Sequence, residues 1–127
     1  WSIRCSHDGY LARYGVIHQR KLEFDVNKNI IFGKEKLIKK KKFKVVNFEI
    51  RFHFLPNIKV TKLQDNKSVL IELENSGWRF FSNDGLIGVE TGLYFGDKNN
   101  YIENQNIVIS GITQEDDQLI EWQISKI

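Results

Sequence analysis

Phe48, Ile50, Phe52 and Phe54 alternate strictly with Asn47, Glu49, Arg51 and His53. A period of two puts the apolar set on one face of a strand and the polar set on the other. The same period recurs along the chain. Val69, Ile71 and Leu73 alternate with Leu70, Glu72 and Glu74, and Ile120, Trp122 and Ile124 with Glu121, Gln123 and Ser125. Ile107 and Ile109 flank Val108, and Val16, His18, Arg20, Leu22 and Phe24 share a face. Turn residues punctuate these runs at Asp8-Gly9, Asn27-Lys28-Asn29, Pro56-Asn57, Asp65-Asn66, Asn75-Ser76-Gly77, Asn83-Asp84-Gly85, Gly96 to Asn100 and Glu115-Asp116-Asp117. No stretch shows a convincing amphipathic helix.

The pattern predicts an all-β chain: an antiparallel β-sandwich of roughly eight to ten strands, with no helix beyond a turn or two. Phe48, Ile50, Phe52, Phe54, Val69, Ile71, Trp78, Phe80, Ile107, Ile109, Trp122 and Ile124 are the expected core. No repeat or linker divides the sequence, so residues 1–127 read as one domain. Its 127 residues suffice for a single core. At 41% hydrophobic and 28% charged the chain is globular rather than disordered. No apolar run approaches the ~20 residues of a membrane-spanning helix. The opening Trp1-Ser2-Ile3-Arg4-Cys5 has neither an initiator methionine nor a signal peptide, and reads as a strand cut from a longer polypeptide.

Charge changes the picture less than its total suggests. The net charge is +3, but residues 34 to 44 (KEKLIKKKKFK) hold seven lysines against one glutamate. The rest of the chain is therefore mildly acidic. A nucleic-acid binder spreads basic side chains over a face, whereas this chain concentrates them in one segment. Because Val45, Val46 and Phe48 continue into a strand, the tract reads as a solvated edge or hairpin, with Lys39 to Lys42 exposed. The single cysteine, Cys5, excludes an internal disulfide and a multi-cysteine zinc site, and reads as a small buried strand residue.

Candidate chemistry concentrates in SHDGYLARYGVIHQR, residues 6 to 20. His7, His18 and His53 lack any metal-binding spacing. His18, between Val16 and Leu22 on its face, reads as packed and hydrogen-bonded, and His53 as pointing to solvent or a cleft. Glu49, Glu72, Glu90 and Glu121 are strand carboxylates of the kind that pair with Lys or Arg, and nothing singles out two of them as a glycosidase pair. Serine-nucleophile motifs and glycine-rich phosphate loops are absent. Tyr10, Tyr14, Trp78, Tyr94 and Tyr101 are plausible platforms for a sugar ring, although for Trp78, as for Trp122, a core position is the stronger reading.

His7-Asp8-Gly9-Tyr10, Gly15-Val16-Ile17-His18-Gln19-Arg20 and Arg51-Phe52-His53-Phe54-Leu55-Pro56, followed by Gly77-Trp78-Arg79-Phe80, Val89-Glu90, Tyr94-Phe95-Gly96 and Gln105-Asn106-Ile107-Val108-Ile109, resemble the C-terminal region of heparinase II/III-like proteins. The resemblance runs from about residue 3 to 125. It implies a bacterial polysaccharide lyase, a carbon–oxygen lyase built from an N-terminal α/α toroid and an antiparallel β-sandwich. Such enzymes cleave uronic-acid-containing chains, glycosaminoglycans such as heparan sulfate or alginate-like polymers, by β-elimination. The toroid and the earlier part of the sandwich, which carry the family's catalytic residues and most of its metal ligands, have no counterpart here. The resemblance thus implies a supporting, cleft-forming domain that is inactive alone. Its expected partners are acidic polysaccharide and the toroid of the same polypeptide, with no membrane and no nucleic acid, and its expected setting is the periplasm. It implies no catalytic residue in this chain. Tyr10, Arg13, Tyr14 and His53 are candidate substrate contacts, and His7 and Asp8 a candidate contribution to a divalent metal, such as zinc, in the full-length protein. Two rival readings remain open: a free-standing carbohydrate-binding sandwich, and a polyanion binder acting through Lys34 to Lys44.

Overall fold

The computed structural model describes residues 1–40, 44–96 and 98–127. Among them lie strands β1 (Ser2–His7), β2 (Val16–Asp25), β3 (Ile30–Lys39), β4 (Asn47–His53), β5 (Lys59–Lys62), β6 (Ser68–Leu73), β7 (Ser76–Ser82), β8 (Leu86–Tyr94), β9 (Ile102–Ile112) and β10 (Gln118–Lys126). A single one-turn helix, α1 (Leu11–Tyr14), joins β1 to β2. Gly15 ends it in the left-handed region (φ 69°), and its N–H closes the turn on the Leu11 carbonyl. Asparagines take the same backbone region at the tips: Asn29, Asn57, Asn66 and Asn99 all have positive φ.

Seven strands form one antiparallel sheet in the order β1-β2-β3-β10-β7-β6-β5, and three form the second, β4-β9-β8. The two make a sandwich-like all-β fold. Core residues come from both sheets: Val69, Phe80, Ile107 and Ile109 are fully buried, and Ile50, Ile71 and Trp122 nearly so. Phe52 meets Phe80 and Trp122 edge-on, with ring centroids 4.9 and 4.8 Å away. Each such side chain contributes about 1.5–3 kcal/mol by leaving water. Phe48, Phe52, Phe54, Trp78 and Ile124 are half-buried and pack against this centre.

Gly33 links the core to the site described below. A Cβ there would lie 2.0 Å from the Trp122 indole, so only glycine lets the ring lie flat on β3. The strand carboxylates pair as their exposure suggests: Glu49 and Glu90 with Arg51, Glu72 with Lys59, and Glu121 with Lys34.

Two expectations are corrected. Cys5 is exposed, because β1 is an edge strand whose side chains all reach solvent. The first half of the lysine tract lies in a hairpin arm, as one of the two expected alternatives had it, but it is no edge. Lys34 to Lys39 lie in β3, which is paired on both sides by β2 and β10. Lys34 and Lys36 point outward because the alternate positions, Gly33, Glu35 and Leu37, face inward. Lys39 and Lys40 are exposed as expected, and Lys41 and Lys42 lie outside the described residues.

Candidate functional site

The smaller sheet ends at β4, and a cavity of about 870 Å³ opens between that strand and the β1–β2 end of the larger sheet. Strand register decides what lines it. His7 stands opposite His18, Cys5 opposite Arg20, and Arg20 opposite Glu35, so one inner face carries this polar row across β1, β2 and β3. Tyr10 and Tyr14, presented by α1 and the turn before it, close one end of the cavity, and Phe48, Ile50 and Arg51 of β4 form the opposite wall.

Glu35 anchors the row. It has no solvent exposure, and its two oxygens take three donors. His18 Nε2 lies 2.7 Å from Oε2, Arg20 Nε donates to Oε1 at 2.7 Å, and Trp122 Nε1 donates to Oε1 at 3.0 Å. Burial pushes the Glu35 carboxyl upward, but the hydrogen bonds from His18 and Trp122 and the positive charge of Arg20 outweigh it and hold the group below its ordinary value. The Trp122 contact depends on Gly33, two residues before Glu35 on the same face.

A directional chain runs outward from Glu35. The Gly9 N–H donates to His7 Nδ1 at 3.2 Å, which makes that nitrogen an acceptor. In the neutral ring the proton then sits on His7 Nε2, 3.2 Å from His18 Nδ1. His18 consequently carries its proton on Nε2, facing Glu35. A backbone amide thus fixes both tautomers, and the His7-Asp8-Gly9 turn is tied to the buried carboxylate. Tyr10 packs edge-on against His7, with ring centroids 5.0 Å apart.

Of the sequence candidates, the structure brings His7, Tyr10 and Tyr14 together at the cavity. Arg13 does not line the cavity, and its guanidinium lies over the Tyr14 ring, 5.3 Å from the centroid. His53 sits elsewhere, exposed on the outer face of β4 opposite Asn106. His18 is packed and hydrogen-bonded, with 19% of its side chain exposed. His7 and Asp8, the candidate metal contribution, meet no further ligand-type side chains that complete a site among the described residues. Both His7 nitrogens are engaged, and no cluster of three His, Cys, Asp or Glu side chains occurs among the described residues. Sequence reasoning missed Glu35 and Arg20. The usable signal was an acid at an inward-facing position of a strand otherwise studded with outward lysines.

The comparisons fit this architecture. The family model "Heparinase II/III-like, C-terminal" matches residues 1–123. A search of curated proteins returns no match. Among solved structures, the chain is similar to heparan sulfate lyase HepC from Pedobacter heparinus, with a TM-score of 0.81 at 12% identity, covering 98% of this chain and 19% of that one. It is also similar to a heparinase III gene product, with a TM-score of 0.74 at 11% identity, covering 99% of this chain and 19% of that one. The chain therefore spans about a fifth of the length of the lyases it matches. With the family model matching nearly the whole sequence, the chain belongs to the heparinase II/III-like C-terminal family.

Proposed function

We propose that this chain is the C-terminal supporting and cleft-forming domain of a polysaccharide lyase that cleaves uronic-acid-containing chains by β-elimination. The observation that carries the reading is the unequal sandwich. Seven strands face three, and the uncovered flank presents a cavity walled by aromatic rings and a fixed polar row. A cavity of this size with few, well-placed polar groups suits a ligand or a neighbouring domain. That HepC and the heparinase III carry this fold as a fifth of a longer chain supports the same reading.

Elimination requires a base at the carbon beside the uronate carboxyl, neutralisation of that carboxyl, and an acid for the departing oxygen. Among the described residues the two cavity histidines are poorly placed to meet the first requirement. The His7 and His18 nitrogens are all committed to one another, to Gly9 and to Glu35. The chain's residues therefore orient and bind, and the proton transfers and any divalent metal belong to upstream parts of the polypeptide. The test is an ultraviolet assay for unsaturated uronates with heparan sulfate and alginate. The full gene product should generate them and the 127-residue chain should not. Failure of the full product on every uronan would overturn the proposal.

A further inference from the structure

The hydrogen-bonding capacity left over in the cavity is donor-rich and centred on Arg20. Its Nε is fixed to Glu35, and its guanidinium carbon lies 5.9 Å from the Phe52 ring centroid. The two terminal nitrogens take no protein partner among the described residues, and Arg20 lines the cavity with 34% of its side chain exposed. The other arginine there is spent: Arg51 donates to Glu49 through Nε and Nη2 and to Glu90 through Nη1. Among the described residues the Tyr10 and Tyr14 hydroxyls are also without a protein partner. A ligand that satisfies this set must bring acceptors.

Charge at the rim favours the same ligand. Two lysines of the tract are tied to α1 and its cap: the Lys40 N–H donates to the Gly15 carbonyl at 2.8 Å, and the Lys44 N–H to the Tyr14 carbonyl at 3.1 Å. Both lysines are exposed, and the Arg13 guanidinium lies over the Tyr14 ring. Basic charge thus borders the Tyr14 end of the cavity while Arg20 waits inside. The Glu35 carboxylate does not cancel this attraction. It touches Arg20 on the Nε side, so an anion at the terminal nitrogens meets the guanidinium at contact and the carboxylate a guanidinium's width behind it, and Coulomb attraction falls with distance.

We propose that Arg20 is the receptor for an oxyanion borne on a sugar ring, a carboxylate or a sulfate, held by a forked pair of N–H donors. Tyr10 and Tyr14 flank the ring, and Lys40 and Lys44 draw the anion in. This inference rests on the cavity facing polysaccharide. It is tested on the 127-residue chain by binding alone, so its failure leaves the lyase-domain reading to its own turnover assay.

The probes are sodium glucuronate, glucosamine 6-sulfate, inorganic sulfate and methyl glucoside, titrated into 15N-labelled chain at constant ionic strength. Glucuronate or the sulfated sugar should shift the Arg20 Nε–H and the amides of residues 14 to 20 saturably. At least one should bind about tenfold more tightly than methyl glucoside and than inorganic sulfate. Arg20→Lys, which keeps a cation opposite Glu35 but loses the fork, should weaken that binding at least about tenfold. Lys40→Gln with Lys44→Gln should weaken it about two- to threefold and flatten its salt dependence. Should Arg20→Lys unfold the chain, Tyr10→Ala at an exposed position supplies the second variant, with an expected loss of about threefold or more. Shifts confined to the lysines, or equal responses to inorganic sulfate and the acidic sugars, would overturn the assignment.

Discussion

Replacing Glu35 by glutamine perturbs the centre of the polar row with almost no change in volume. The carboxylate takes three donors, and glutamine offers one acceptor oxygen and an NH2 group. Whichever way the amide turns, at least one of the His18, Trp122 and Arg20 donors faces another donor. The Arg20 charge also loses its buried partner. Breaking a fully buried pair by removing one member costs about 3–5 kcal/mol, but Arg20 keeps 34% of its side chain exposed, so the lower end, about 3 kcal/mol, applies. At about 3–5 °C per kcal/mol for a domain of this size, the melting temperature should fall by about 10–15 °C. Urea unfolding followed by circular dichroism, with its slope checked for constancy, measures the same loss. Acidification should mimic it. Because the folded carboxyl titrates below its ordinary value, its contribution is complete above the ordinary carboxylate range and is lost as pH falls through the folded value. Glu35→Gln should remove that part of the acid sensitivity. A loss below about 1 kcal/mol with an unchanged acid transition would refute the idea that Glu35 organises the flank.

Gly33→Ala should drive the Trp122 indole off β3, costing about 1–3 kcal/mol and altering tryptophan fluorescence; an unchanged spectrum and stability would contradict the close packing. Long-range 15N spectra above the histidine titration range should show His7 protonated on Nε2 and His18 on Nε2; a His7 proton on Nδ1 would break the directional chain. Asp65, held to about 2 by the Ser68 hydroxyl, the Lys67 and Ser68 amides and nearby Arg79, stabilises the turn before β6. Its folded value is depressed, so the contribution is present above about pH 4 and disappears toward pH 2. Asp65→Asn should make that stretch of the stability profile shallower, and an identical profile would show that the turn does not depend on the charge.

Much of the fold was legible because inward and outward positions alternate along β4, β6, β9 and β10, and because asparagine and glycine mark the tips where positive φ is needed. What stayed hidden was register. His7, His18, Arg20 and Glu35 are spread over 29 residues, and only the pairing of β1 with β2 and of β2 with β3 sets them side by side. Glu35 looked like one acid diluting a lysine tract, because net charge ignores which face a residue occupies. For His53 the pattern leaves solvent and a cleft both open, because it cannot tell which outer surface β4 presents; the structure leaves it exposed and away from the cavity lining. Cys5 misled because edge position, which leaves β1 exposed, is a property of the sheet and not of the strand's own residues.

The most direct measurement of the central claim is complementation in trans. Heparan sulfate and alginate would be incubated with this chain, with the upstream part of its gene product, and with the two combined, while the absorbance of unsaturated uronates is followed. The account predicts no product from the chain alone, little from the upstream part, and a clear gain when the two are mixed. Turnover by the chain alone, or equal turnover by the upstream part with and without it, would contradict the claim that these residues form a supporting and cleft-forming domain.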